Sequence, residues 1–159
     1  MTLYMFWSAR GGAGTSVVAA GTALAARRPA TIIDLAGDQP AVLGVDESAG
    51  QGITDWLASN APLDALDRLA TPIGPQLRLV HRGAAAPAAN AATRWNALAA
   101  AVASLSHLVV VDAGAHPPAA LCPEFGSPPR DGMVDIAVTR LGFLELRSLA
   151  ALDTPPSGL

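Results

Sequence analysis

Leu3-Tyr4-Met5-Phe6-Trp7-Ser8-Ala9-Arg10-Gly11-Gly12-Ala13-Gly14-Thr15-Ser16 decides the fold. Its first five residues are apolar without interruption, the pattern of a strand covered on both faces. The glycines that follow permit a tight reversal. From Thr15 to about Arg28 the chain is rich in alanine, with Val18 and Leu24, and Pro29 stops what reads as a helix with Arg27-Arg28 in its last turn. Strand, glycine turn and helix in direct succession aim main-chain N–H groups at one point and add the positive end of the helix dipole. That combination suits phosphate. The bland alternative is a glycine turn that only lets strand and helix pack closely.

The alternation repeats outward from this unit. Ala30-Thr31-Ile32-Ile33-Asp34 reads as a second buried strand ending in a carboxylate, then a loop through Gly37 and Pro40. Helical pieces are expected over 53 to 59 and 63 to 70, and a strand over 76 to 81. Asn90 is placed to cap a helix running to 106, with Trp95, Leu98, Val102 and Leu105 on one face. His107-Leu108-Val109-Val110-Val111-Asp112 is the clearest strand, again ending in aspartate. Residues 113 to 132 read as a proline-rich loop, 134 to 139 as a last strand and 143 to 152 as a last helix. Strands alternating with helices imply an α/β fold with a doubly wound, mainly parallel sheet in three α/β/α layers and ligands at the carboxyl ends of the strands. Gly12-Ala13-Gly14, Asp34 and Asp112 all fall at such ends. One domain over 1 to 152 with a tail over 153 to 159 is expected at a length of 159 residues.

Composition limits the function. A hydrophobic fraction of 51% and a charged fraction of 14% are those of a globular chain, although alanine supplies much of the first and buries little area per residue. A net charge of -3 and a pI near 5.4 argue against a surface that coats nucleic acid. All ten basic residues are arginine, and lysine is absent. Cys122 is the single cysteine, so no internal disulfide forms and a reducing compartment is expected. No apolar run approaches the roughly 20 residues of a membrane span, and the expected location is cytoplasmic.

Arg10-Gly11-Gly12-Ala13-Gly14-Thr15-Ser16-Val17 resembles, position by position, the deviant P-loop Lys-Gly-Gly-x-Gly-Lys-Thr-Thr of the ParA/MinD family of P-loop ATPases. The likeness continues in order. Ile32-Ile33-Asp34-Leu35 resembles that family's switch I strand, Val109-Val110-Val111-Asp112 its switch II strand, and residues 77 to 83 and 134 to 139 the segments around them. The resemblance implies ATP as ligand, with Arg10, Gly11, Gly12, Ala13, Gly14, Thr15 and Ser16 holding its phosphates. It implies Mg2+ held by Ser16 and Asp112, with Asp34 and Asp112 as the catalytic acids. It also implies a homodimer formed on nucleotide binding, in a protein that positions cargo. Two departures weaken hydrolysis. Thr15 stands where the family's phosphate-bridging lysine stands, and Ala36 where its second switch I aspartate does, leaving Asp38 as a substitute through a shifted loop. Arg10 keeps the charge of the signature lysine without being its equivalent. Members of the family usually run well past the position of Leu159, so either a fragment or a shortened variant is expected.

Two rival readings stand beside this one. Gly12-x-Gly14 with Asp34 twenty residues beyond fits a dinucleotide-binding enzyme, although its third small residue would fall at Val17. A partner-binding scaffold that has lost its ligand fits Thr15 and Ala36. Asp34, Asp112 and Asp38 each have a plainer reading as loop-capping residues at strand ends. His81, His107 and His116 show no metal-ligand spacing and are expected at surface or strand-edge positions. No basic amphipathic helix for membranes and no arginine-rich patch for DNA is visible.

Overall fold

The computed structural model describes residues 2–47, 50–85, 92–116 and 133–151. Its strands are β1 Thr2–Trp7, β2 Ala30–Asp34, β3 Ala70–Pro72, β4 Leu77–Val80, β5 Leu108–Asp112 and β6 Met133–Ala137. They form one sheet in the order β3-β4-β2-β5-β1-β6. Every pairing from β4 across to β6 is parallel, and β3 alone runs antiparallel, against β4. The helices are α1 Thr15–Ala25, α2 Gln39–Leu43, α3 Ile53–Leu57, α4 Ala65–Leu69, α5 Ala92–Ser104 and α6 Phe143–Ala150. The expected α/β architecture is therefore the one observed.

Side-chain alternation along the strands sorts the core into two layers. Leu3, Met5, Trp7, Ile33, Val80, Val109 and Val111 pack with Trp56 of α3 and with Trp95, Leu98 and Val102 of α5. Phe6, Ile32, Leu79 and Val110 face the other way, onto Ala19 and Ala23 of α1. Small alanines let α1 lie close to the sheet, so the alanine-rich composition does its packing here. Asp34 continues the series Ala30, Ile32, and Asp112 the series Leu108, Val110. Both carboxylates therefore end up on the α1 side.

Three details differ from the sequence expectation. Helix α1 ends at Ala25, and Arg27 takes a left-handed φ of 49°, so Arg27 and Arg28 lie beyond its last turn. Pro29 bars the helix from running on, because Arg28 before it is pushed out of the helical region, and the turn is completed earlier, at Arg27. The loop after β2 contains the short helix α2, with Pro40 in its first turn. β3 is also new: the chain turns at Ile73, whose N–H donates to the Leu77 carbonyl at 2.9 Å, and Ala70–Pro72 returns beside β4. Asn90, Cys122 and the tail over 153 to 159 lie outside the described residues. Among the described residues no helix is long and apolar enough to cross a membrane.

Candidate functional site

The glycine loop is rooted where β1 meets the end of β5. Ser8 donates to the Gly114 carbonyl through its N–H at 2.8 Å and its hydroxyl at 3.2 Å, and Ala113 N–H donates to the Phe6 carbonyl at 2.8 Å. Gly12 and Gly14 take φ of 81° and 94°, angles that side chains with a Cβ rarely adopt. Gly14 leads into α1 with no side chain capping the helix and no acid in its first turn. The first-turn N–H groups of an uncapped helix seek an acceptor from outside. A Cβ built on Gly11, Gly12 or Gly14 meets nothing within 4 Å, and all three glycines border open space.

That space is a cavity of about 660 Å3. Gly11, Gly12, Gly14, Thr15 and Ser16 form one side of it; Ala36, Asp38 and Val42 of the β2–α2 segment border it, as do Gly114 and His116 after β5. Of the expected ligand-holding residues, Arg10 is exposed and neither it nor Ala13 lines the cavity. Thr15 lines it but is 6% exposed, so its hydroxyl is no replacement for a long cation reaching outward. Ala36 puts a methyl group where the resemblance expects an acid.

Asp34 and Asp112 are direct neighbours in register on β2 and β5, and both are completely buried. Gly37 N–H donates to Asp34 Oδ1 at 2.6 Å and Gln39 N–H to Asp34 Oδ2 at 3.1 Å. Burial pushes the Asp34 carboxyl up to about 6; the two N–H bonds work against the rise, and the nearby Asp112 and Asp38 carboxylates add to it. Asp38 is exposed, borders the cavity, and makes no capping bond to α2.

The residue that joins these parts is one the sequence reading missed. Gln39 is fully buried, and its Nε2 donates to Asp112 Oδ2 at 2.7 Å and to the Ser16 carbonyl at 3.0 Å. Its main chain reaches Asp34 and its side chain Asp112, so one residue of α2 ties both strand ends to the start of α1. Its Oε1 is buried without a hydrogen-bond partner. In sequence Gln39 is an ordinary polar residue beside a proline; only the alignment of β2, β5 and α1 gives it work. His116, for which the sequence suggests a surface or strand-edge position, is exposed and borders the cavity.

The loop fits a phosphate, since its open side is walled by glycine main chain and an uncapped helix start. A divalent cation finds a poorer fit. Ser16 borders the cavity, whereas Asp112 is shut away with Oδ1 accepting Gly114 N–H at 3.1 Å and Oδ2 accepting Gln39. Among the described residues no three His, Cys, Asp or Glu side chains are grouped to hold a metal. His81 is buried against the other end of the same edge, and burial lowers its pKa.

Comparison with protein-family models and with curated proteins gives no match. Solved structures do match. A ParA family ATPase from Chlorobium tepidum TLS superposes with a TM-score of 0.64 at 20% identity, covering 98% of this chain and 70% of that one. The VpsO kinase domain superposes with a TM-score of 0.68 at 16% identity, covering 99% of this chain and 82% of that one. At these identities the likeness is one of fold: this chain shares the mainly parallel α/β architecture of those two structures.

Proposed function

We propose that the protein binds ATP at the glycine loop through its main chain and hydrolyses it weakly or not at all. The observation that carries this reading is the open space bordered by Gly11, Gly12 and Gly14 at the uncapped start of α1, beside the paired ends of β2 and β5. Main-chain N–H groups of residues 11 to 16 and the dipole of the 11-residue helix α1 would hold the phosphates. Ser16 would hold the Mg2+ that accompanies them, and that ion supplies charge neutralisation when bound. Phosphoryl transfer draws much of its rate from cations on the transferring group. With Thr15 in place of lysine and Asp112 engaged by Gln39, this chain supplies little of that. A homodimer formed on nucleotide binding, with Arg10 exposed to reach a partner's ligand, and a cytoplasmic switch or partitioning role complete the reading.

Mg-ATP in a thermal-shift titration of the full chain tests it. At a ligand excess of about 100-fold over Kd the stabilisation is near 2.7 kcal/mol, which is a rise in Tm of roughly 5–10 °C for a domain of this size. NADH should give no such rise, and release of phosphate should stay far below that of lysine-bearing ATPases. The second reading, a scaffold without ligand, is favoured by the hydrogen-bonded closure of Asp112 and predicts no shift with either nucleotide.

A further inference from the structure

The phosphate cradle lacks a lysine, and the chain has none to lend from elsewhere. Among the described residues, one side chain with a titratable nitrogen borders the cavity: His116, four residues beyond Asp112. Its ring is held. Nδ1 lies 3.2 Å from the Ala113 carbonyl, and its own N–H donates to the same oxygen at 3.2 Å. A carbonyl oxygen only accepts, so Nδ1 carries the hydrogen in either charge state. The neutral ring consequently offers a lone pair at Nε2, which repels a phosphate oxygen. Protonation turns that atom into an N–H donor with a positive charge. Histidine is the side chain that makes this change between about pH 5 and 8.

We propose that His116 is the cation of the phosphate site, standing in for the missing lysine only when protonated, so that anion binding strengthens as pH falls. This rests on the nucleotide-binding reading above. The other charged groups around the cavity are Asp38 at the start of α2, Arg10 exposed on the glycine loop, and the buried Asp112 and Asp34 at the strand ends. Ser8, Thr15 and Ser16 contribute hydroxyls without charge. Asp38 favours the protonated ring and Arg10 opposes it; Asp34, whose pKa stands near 6, is the same in the wild type and in the His116 variants, so its effect is common to them. The ligand class is a nucleoside triphosphate or another polyphosphate. The specificity that follows is for the more highly charged end group, since one added cation gains more from it.

The test is a pH series on the full chain, isotope-labelled so that the three imidazoles titrate separately by NMR, with and without Mg-ATP. Ligand should raise the His116 titration midpoint by about one pH unit, which corresponds to tenfold tighter binding to the protonated form. His81 and His107 should move little. In parallel, binding of a fluorescent ATP analogue should weaken about tenfold from pH 6 to pH 8 in the wild type. It should be weak and flatter in pH in His116→Ala, and tight at both pH values in His116→Lys. The ligand's own protonation is common to all three proteins and drops out of the comparison. If amides of residues 11 to 16 respond to Mg-ATP while the His116 midpoint stays put, or His116→Ala keeps the wild-type slope, this proposal is wrong and nucleotide binding stands. If those amides do not respond at any pH, the nucleotide reading falls and this one with it.

Discussion

Asp34 is a carboxylate held at a cost. Two N–H groups, from Gly37 and Gln39, do not offset complete burial beside a second acid, and its pKa stands near 6 against an ordinary 3.8. The sign of the consequence follows from proton counting. Between about pH 4 and 6 the folded chain holds a proton on Asp34 that the unfolded chain has released, so stability falls as pH rises through that window. The contribution is on the order of 2–3 kcal/mol. We expect the unfolding free energy of the wild type to decline across that range more steeply than that of Asp34→Asn, measured by urea denaturation at a series of pH values. The offset between the two proteins is immaterial, because asparagine disturbs one of the N–H contacts; equal slopes would show that Asp34 does not titrate in this window. Gln39 explains why such a cost persists. Its amide spans Asp112 and the Ser16 carbonyl, and its main chain reaches Asp34, so the acids are kept in place by the element that borders the cavity.

At the level of elements, short helices are fixed less by their own propensity than by side chains that tie them to strand ends. Five-residue helices such as α3 are far below the length that sustains itself in water. Asp55 of α3 accepts N–H groups of Gly52, Ala84 and Ala85 at 2.8, 3.2 and 3.0 Å, and these bonds, that of Gly52 foremost, hold its carboxyl below the usual range. The same carboxylate thus starts α3 and pins the chain leaving β4. The two segments meet at glycines. Gly83 has φ of 87°, and a Cβ there would collide with Asp55 Oδ2 and with the Gly52 main chain. Gly83→Ala should therefore destabilise by about 2 kcal/mol or more in urea unfolding. Gly74→Ala, where a Cβ meets nothing within 4 Å, should stay within about 0.5 kcal/mol. Similar losses in both would mean that the 52–83 contact is not tight. Trp56 is tied in the same manner: Arg94 of α5 stacks 3.6 Å from its ring centroid and donates to the Trp56 and Ala61 carbonyls, each at 2.9 Å.

For the molecule as a whole, stability concentrates in the middle of the sheet. β5 and β1 are paired on both sides and β5 is buried throughout, while β3 has one partner and no buried residue. Native-state hydrogen exchange should show β5, β1 and β2 opening near the global free energy and β3 with α4 opening far more readily; equal protection across the sheet would contradict this. The sequence alone determined the architecture, because hydrophobic runs such as Leu3 to Trp7 and Leu108 to Val111 have the period and length of buried parallel strands whatever surrounds them. It determined the glycine loop too, since Gly12 and Gly14 supply backbone angles that few other residues tolerate. The apolar runs before Asp34 and Asp112 placed both acids at strand ends. What tertiary structure alone decided is how these residues use one another. Gln39 and His116 carry no local signal, since a glutamine beside a proline or a histidine after a strand is compatible with any role. The pairing of β2 with β5 and of β5 with β1 brings residues 16, 39 and 112 within hydrogen-bond reach and sets 116 at the cavity. Contacts between residues far apart in sequence depend on strand order and register, and neither is written in any one segment.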